Sequence, residues 1–211
     1  MYKTEGGLVM AIDREKYMDM DEVKQLRTVT EARSMVDLKK GRVGGPLAWM
    51  LVDLALSTGL RVSEMAALKM KDIDLKREAI SVARMKRKKH KKETLAVGKN
   101  LTQHLQQFIE FKKTLDQPTK PASALLTGGR GPLTAQGLQR IWKAAVKRAG
   151  LPKEITIHCA RHTIAVHLLK KTGNLRQVQK QLGHASPATT ANMYADISFE
   201  DMQNGVNGLY E

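Results

Sequence analysis

Cysteine is almost absent: Cys159 is the one such residue in a chain of 211. No intrachain disulfide can form, and a reducing cytosol is the expected setting. Aromatic residues make up only 4%, so the core must rest on Leu, Val, Ile, Ala and the 11 Met. No apolar run is long enough to span a bilayer; the longest, PLAWMLVDLALSTG from Pro46, contains Asp53. The opening MYKTEGGLVMAIDREK has no apolar segment flanked by a cleavage site, so it does not read as a secretory signal. A cytoplasmic protein with no membrane partner is expected. Acidic residues are also in deficit, 21 Asp and Glu against 36 Lys and Arg, for a net charge of +15. That imbalance is an argument about partners rather than fold. Nucleic acid is the favoured polyanion, because Lys and Arg at phosphates displace counterions. Ribosomal and membrane-surface proteins share the balance, so charge alone leaves those classes open.

The length suits one large domain, and 42% hydrophobic content allows a sizeable core. Residues 1–17 read as a lead-in. Val23, Leu26 and Val29 recur at helical spacing within 18–35, after acidic starts. Residues 46–58 form a nearly all-apolar helix, hence a central one, with Gly59 past its end. Ser63 is placed to cap a short helix ending near Lys69. Two strands are expected, over 72–84 and 93–98, joined by a cationic turn, and a helix follows over 100–114. A Pro- and Gly-rich loop spans 116–132; Thr134 then caps a helix with Leu138, Ile141, Trp142, Ala145 and Val146 on one face. Further helices are expected over 159–172, stopped by Gly173, and over 175–182, capped by Asn174; Pro187 starts another that carries Tyr194. Phe199, Met202, Val206 and Leu209 mark a last helix. The expected class is mainly α with a small antiparallel β-sheet.

Chemistry concentrates in a few stretches. In RMKRKKHKK, 84–92, seven of nine residues are Lys or Arg. Such density is self-repelling and does not serve folding; a strand-held tip of this kind can meet phosphates. Its candidate DNA contacts are Arg84, Arg87, Lys88, Lys89, Lys91 and Lys92. In TGLRVSEMAAL, Arg61 follows directly on the end of the buried helix, and Glu64 is in reach to orient its guanidinium. A purely structural Arg–Glu pair reads equally well there. In ITIHCARHTIAVH, His158 and His162 have zinc-compatible spacing, but no glutamate follows His158 and Arg161 sits between them, so no metal is expected. Cys159 reads as a small buried residue. The stretch NLRQVQKQLGHASPATTANMYAD resembles a helix-turn-helix, which explains the charge but leaves Arg61, His158 and Arg161 without a task. Taken together, two arginines, histidines, lysines and a tyrosine suit metal-free phosphodiester transfer. Guanidiniums hold the charge of the pentacovalent phosphorus, a base takes the phenol proton, and an ammonium protonates the leaving oxygen.

These blocks, TGLRVSE, HCARH, LGH and the tyrosine after TTANM, resemble the signature of the tyrosine recombinases, or phage-type integrases, in the family's order. The resemblance covers about residues 18–211. It implies a helical catalytic domain with one small sheet, cutting and rejoining duplex DNA through a 3′-phosphotyrosyl link without a cofactor. By position it implies catalytic roles for Arg61, His158, Arg161, His184 and Tyr194, with Glu64 and His162 in support. The catalytic lysine falls in the cationic turn; counting from the first strand points to Lys86, counting back from KET points to Lys89, and Lys86 is preferred. His184 and Tyr194 stand ten residues apart, one more than the common spacing. The resemblance further implies a tetramer on DNA, with an accessory DNA-bending protein as a further partner. The N-terminal core-binding domain of most members is expected to be absent. Residues 198–211 are expected to form a C-terminal helix that docks on a neighbouring protomer or folds back on its own core. Topoisomerase IB-like relaxation and a non-catalytic helix-turn-helix regulator are the competing readings.

Overall fold

The computed structural model describes residues 17–86 and 89–183, and within these the side chains of all but 85–91. The expected lead-in before Tyr17, the turn residues Arg87 and Lys88, and everything from His184 on lie outside the described residues. Tyr194 and the helix expected over 198–211 are among the latter.

Among the described residues the chain forms helices α1 (Met20–Lys39), α2 (Gly44–Thr58), α3 (Val62–Ala67), α4 (Lys99–Thr114), α5 (Ala135–Arg148), α6 (Ile157–Thr172) and α7 (Leu175–Leu182). Strands β1 (Ile73–Asp74), β2 (Ala79–Lys86) and β3 (Lys89–Ala96) make an antiparallel sheet, and β4 (Thr127–Gly128) pairs with β5 (Gly131–Pro132) in a separate ribbon. The mainly helical class with small antiparallel sheets agrees with expectation. No helix among the described residues is long and apolar enough to cross a membrane.

Helix α2 is the hub. Leu47, Met50, Leu51, Val52, Leu54 and Ala55 are all buried, and α1, α4, α5 and α6 pack around it. Asp53 is tolerated in this apolar helix because it is fully partnered. His104 Nδ1 lies 2.8 Å from Asp53 Oδ2, and Arg27 donates to Asp53 Oδ1, so one carboxylate ties α1, α2 and α4 together. The helix ends where Gly59 adopts φ 65°, a left-handed conformation open to glycine. Gly173 and Gly183 end α6 and α7 in the same way. Thr134 and Asn174 cap α5 and α7 as expected, accepting from Gly137 N at 3.2 Å and Gln177 N at 3.1 Å.

Three local expectations need correction. Arg61, not Ser63, is the N-cap of α3, because the Glu64 carboxylate reaches back to Arg61 N at 2.8 Å, and the helix stops at Ala67. The strand expected over 72–84 is broken between Asp74 and Ala79 by a turn with Glu78 at φ 50°. The cationic run, expected as a turn, is mostly strand: the ladder continues through Arg84↔Lys91 and Met85↔His90 to Lys86↔Lys89. The backbone hydrogen bonds of this ladder extend pairing into sequence that charge alone marked as a turn.

Candidate active site

Arg61 is held at the junction of α2 and α3. Glu64 is nearly buried, and its two carboxylate oxygens take the Arg61 backbone N–H and Nη1, the latter at 2.9 Å. This leaves the guanidinium fixed but 46% exposed, a charge presented to solvent at a defined place.

Arg161 comes from α6 and is only 5% exposed. Its Nη1 donates to Gly59 O at 2.7 Å and its Nη2 to Leu182 O at 2.7 Å. One guanidinium thereby joins the C-terminal ends of α2 and α7. Burial, reinforced by the positive charges of Arg61 and Arg84 and opposed by Glu64, lowers its pKa to about 10, so it stays cationic at neutral pH.

His158 lies in the first turn of α6, which begins two residues earlier than expected. The residue as a whole is exposed, yet partial burial of the imidazole, and then the positive charges of Arg161 and Arg61, disfavour its charged form, and its pKa falls below the usual histidine value. The imidazole is therefore neutral at pH 7 and able to accept a proton. His162 packs edge-on against it, ring centroids 5.0 Å apart. Cys159 is buried, as expected. Beside His158 opens a cavity of about 520 Å³, floored by Leu60, Trp142 and Ile155 and rimmed by Gln139, Lys143 and Lys153. Neither lysine stood among the expected site residues. The signal was available: Lys143 lies on the face of α5 opposite its apolar stripe, and Lys153 precedes His158 by five residues.

Arg84 departs from expectation. It is 2% exposed and is not part of an exposed phosphate-contacting tip. The reason is strand period: Ile80 and Val82 are buried, and Arg84 continues their alternating set. Its Nη1 donates to Leu182 O and its Nη2 to Gln181 O at 3.0 Å. Its Nε lies 3.2 Å from Glu93 Oε2 without hydrogen-bond alignment. Burial lowers its pKa, against the pull of Glu64 and Glu93. Lys92, on the other alternating set, is 67% exposed in its side chain and lies 3.6 Å from Asp72. Lys86 and Lys89 are paired directly by register and both belong to the alternating set of Arg84, so register gives them equal claim. The side chains of Lys86, Lys89 and Lys91 fall outside the description, as do Arg87, Lys88, His184 and Tyr194 entirely.

The structure thus gathers Arg61, Glu64, His158 and Arg161, from two segments about a hundred residues apart, and adds Arg84 and Glu93 from the hairpin. Three guanidiniums against two carboxylates leave a positive site suited to a phosphate. His184 is next in sequence to Gly183, which ends the helix that Arg84 and Arg161 both hold.

Residues 16–201 match the phage integrase family. The chain is 32% identical over 177 residues to the tyrosine recombinase XerD of Listeria innocua, covering 83% of this chain and 56% of that protein. It is 33% identical over 155 residues to the tyrosine recombinase XerC of Staphylococcus haemolyticus, covering 73% and 50%. The chain spans about half the length of the curated relatives it matches. Among solved structures, XerA recombinase superposes with a TM-score of 0.70 at 25% identity, covering 92% of this chain and 64% of that one. The XerH site-specific recombinase bound to its difH substrate gives 0.72 at 22% identity, covering 100% and 58%, a likeness of fold.

Proposed function

Because the chain belongs to the phage integrase family, we propose that it is a site-specific DNA recombinase, cutting and rejoining duplex DNA through a covalent 3′-phosphotyrosyl intermediate. The phenol oxygen of Tyr194 attacks the scissile phosphorus, and its proton passes to neutral His158. Arg61 and Arg161 hold the non-bridging oxygens, and a His184 N–H donates to the same group. The departing 5′-oxygen takes a proton from a hairpin lysine, Lys86, which has Lys89 paired opposite it. Reversal by a 5′-hydroxyl from a second DNA end restores the diester and frees the tyrosine. The original bond energy is kept in the phosphotyrosine ester, so the cycle calls for neither ATP nor a metal.

The observation that carries this reading is the convergence of Arg61, Glu64, His158 and Arg161 beside the end of α7. A helix-turn-helix regulator has no use for that convergence. Lys143 and Lys153, with the outward hairpin residue Lys92, supply backbone phosphate contacts. Two DNA sites and four protomers, assisted by a DNA-bending protein, complete the recombination assembly. The setting is the cytoplasm.

The test is covalent capture on a nicked duplex whose cleaved fragment diffuses away, using DNA flanking the gene as the first candidate site and no added metal. The wild-type chain should give a protein–DNA adduct stable to detergent. Tyr194→Phe should bind the duplex and give none. An adduct that persists in Tyr194→Phe but vanishes in Tyr210→Phe overturns the assignment of the nucleophile.

A further inference from the structure

Arg84 is a full cation almost wholly removed from water, and burial of that kind is costly unless the structure uses it. Its ion-pair partner is Glu93, on the strand beside its own. Its hydrogen bonds go elsewhere, to the carbonyls of Gln181 and Leu182, nearly a hundred residues away. Those two carbonyls belong to the last turn of α7, where a helix has unsatisfied acceptors and a negative end. The Leu182 carbonyl is shared: Arg84 approaches from the hairpin and Arg161 from α6. The next residue is Gly183 at φ 63°. A Cβ there would overlap the Arg84 guanidinium, so backbone and guanidinium are in direct contact.

We propose that Arg84 is a positioning residue for strand transfer: it clamps the hairpin that carries Lys86 and Lys89 to the end of α7, and so sets the point from which the chain departs toward His184. Without it, the hydrogen bonds that run from Arg84 to the Gln181 and Leu182 carbonyls are lost, and Arg161 is left holding the Leu182 carbonyl. The kinetic part of this inference rests on the strand-transfer reading; the structural part does not.

The experiment uses the full chain with Arg84→Met, Arg84→Lys, Gly183→Ala and the Arg84→Met/Gly183→Ala double variant. Amide hydrogen exchange comes first and needs no DNA. In Arg84→Met, peptides over 176–183 should exchange at least ten times faster, while those of α5 stay within twofold of wild type. Unchanged exchange at 176–183 overturns the clamp. The effect in the double variant should be clearly less than the sum of the two single variants in both exchange and thermal midpoint, because both changes break one contact and only the left-handed strain of Gly183→Ala is independent of it. Full additivity of the two also counts against it.

Capture rate at saturating nicked duplex, and affinity for that duplex, then separate positioning from bulk stability. Arg84→Met should lose at least tenfold in rate with affinity within threefold, and Arg84→Lys should recover part of the rate because its single ammonium reaches one carbonyl. A loss confined to affinity, or a rate equal to wild type, sinks the positioning role. If wild type itself forms no Tyr194-dependent adduct, it is the strand-transfer reading that fails, and the exchange data still decide the clamp.

Discussion

At the scale of single residues, Arg161 joins two duties that a lysine cannot both perform. Its fork bridges Gly59 O and Leu182 O, each at 2.7 Å, and its charge stands under the site. A lysine ammonium is a point donor on a flexible stem, so Arg161→Lys keeps the charge and loses the bridge. Covalent capture should slow by about 100-fold or more, the usual loss when a donor to a developing oxyanion is removed. Stability should fall by about 1–3 kcal/mol, the cost of leaving a buried carbonyl unpaired, read by urea denaturation. Near-normal capture in this variant would remove Arg161 from the mechanism. His158 predicts the pH response. The surrounding protein, Arg161 and Arg61 hold its pKa below 6.5, so it is neutral through pH 7 and protonates only on further acidification. Capture should therefore be level near neutrality and decline as pH drops through that lowered value. An acid limb centred above pH 6.5 contradicts the role. Folding is linked in the same direction: between the lowered value and 6.5 the unfolded chain binds more protons, so stability rises with pH there and is lost on acidification. His167 on the same helix, its pKa lowered chiefly by burial, adds to that slope.

Among the elements, the close approach of α2, α6 and α7 hangs on Gly59. Its φ is 65°, and a Cβ would meet Leu182 Cδ2 at 2.5 Å and Ile164 Cγ2 at 2.6 Å. Gly59→Ala combines left-handed strain with overpacking, and should cost about 2–4 kcal/mol. It should also slow capture, because the carbonyl that anchors Arg161 shifts with it. A Gly59→Ala chain with wild-type midpoint in urea would mean that the three helices do not meet this way. Helix ends of this kind were legible in the sequence, since Gly59, Thr134, Gly173, Asn174 and Gly183 act through their own backbone or nearest neighbours. So was the Arg61–Glu64 pair, three residues apart on one short helix. What the sequence hid depends on distant partners. Asp53 reads as a flaw in an apolar helix until His104, fifty-one residues on, appears beside it. Arg84 reads as one more cation in a run, although its alternation with Ile80 and Val82 was the available clue. The charge run masked the strand, because repulsion between like residues suggested a tip where backbone pairing runs on to Lys86↔Lys89.

For the molecule as a whole, the question is where a charge of +15 is used. Arg84 and Arg161 are only 2% and 5% exposed, so they add little to the counterion release that accompanies binding along the DNA backbone. Counterion release must come from exposed cations, and the cavity rim beside His158 concentrates them: Lys143, and Lys153 with 88% of its side chain exposed. If a duplex tracks along this rim, each lysine neutralises one phosphate. Affinity should then fall steeply with salt on a log–log plot, and Lys143→Ala and Lys153→Ala should each lessen the slope by about 1. Lys113 supplies the control, since it is paired with Glu110 at 2.7 Å on α4 and does not line the cavity. Lys113→Ala should leave the slope as it is, even though the net charge changes equally. The measurement is fluorescence anisotropy of a labelled 30-base-pair duplex, a length of about three helical turns, across a range of salt concentrations. Equal slopes for all three variants would show that DNA senses only the total charge, and the rim would lose its place in the interface. A smaller slope for the two rim lysines alone would fix the path of the backbone past His158, on the side where Arg61 is exposed.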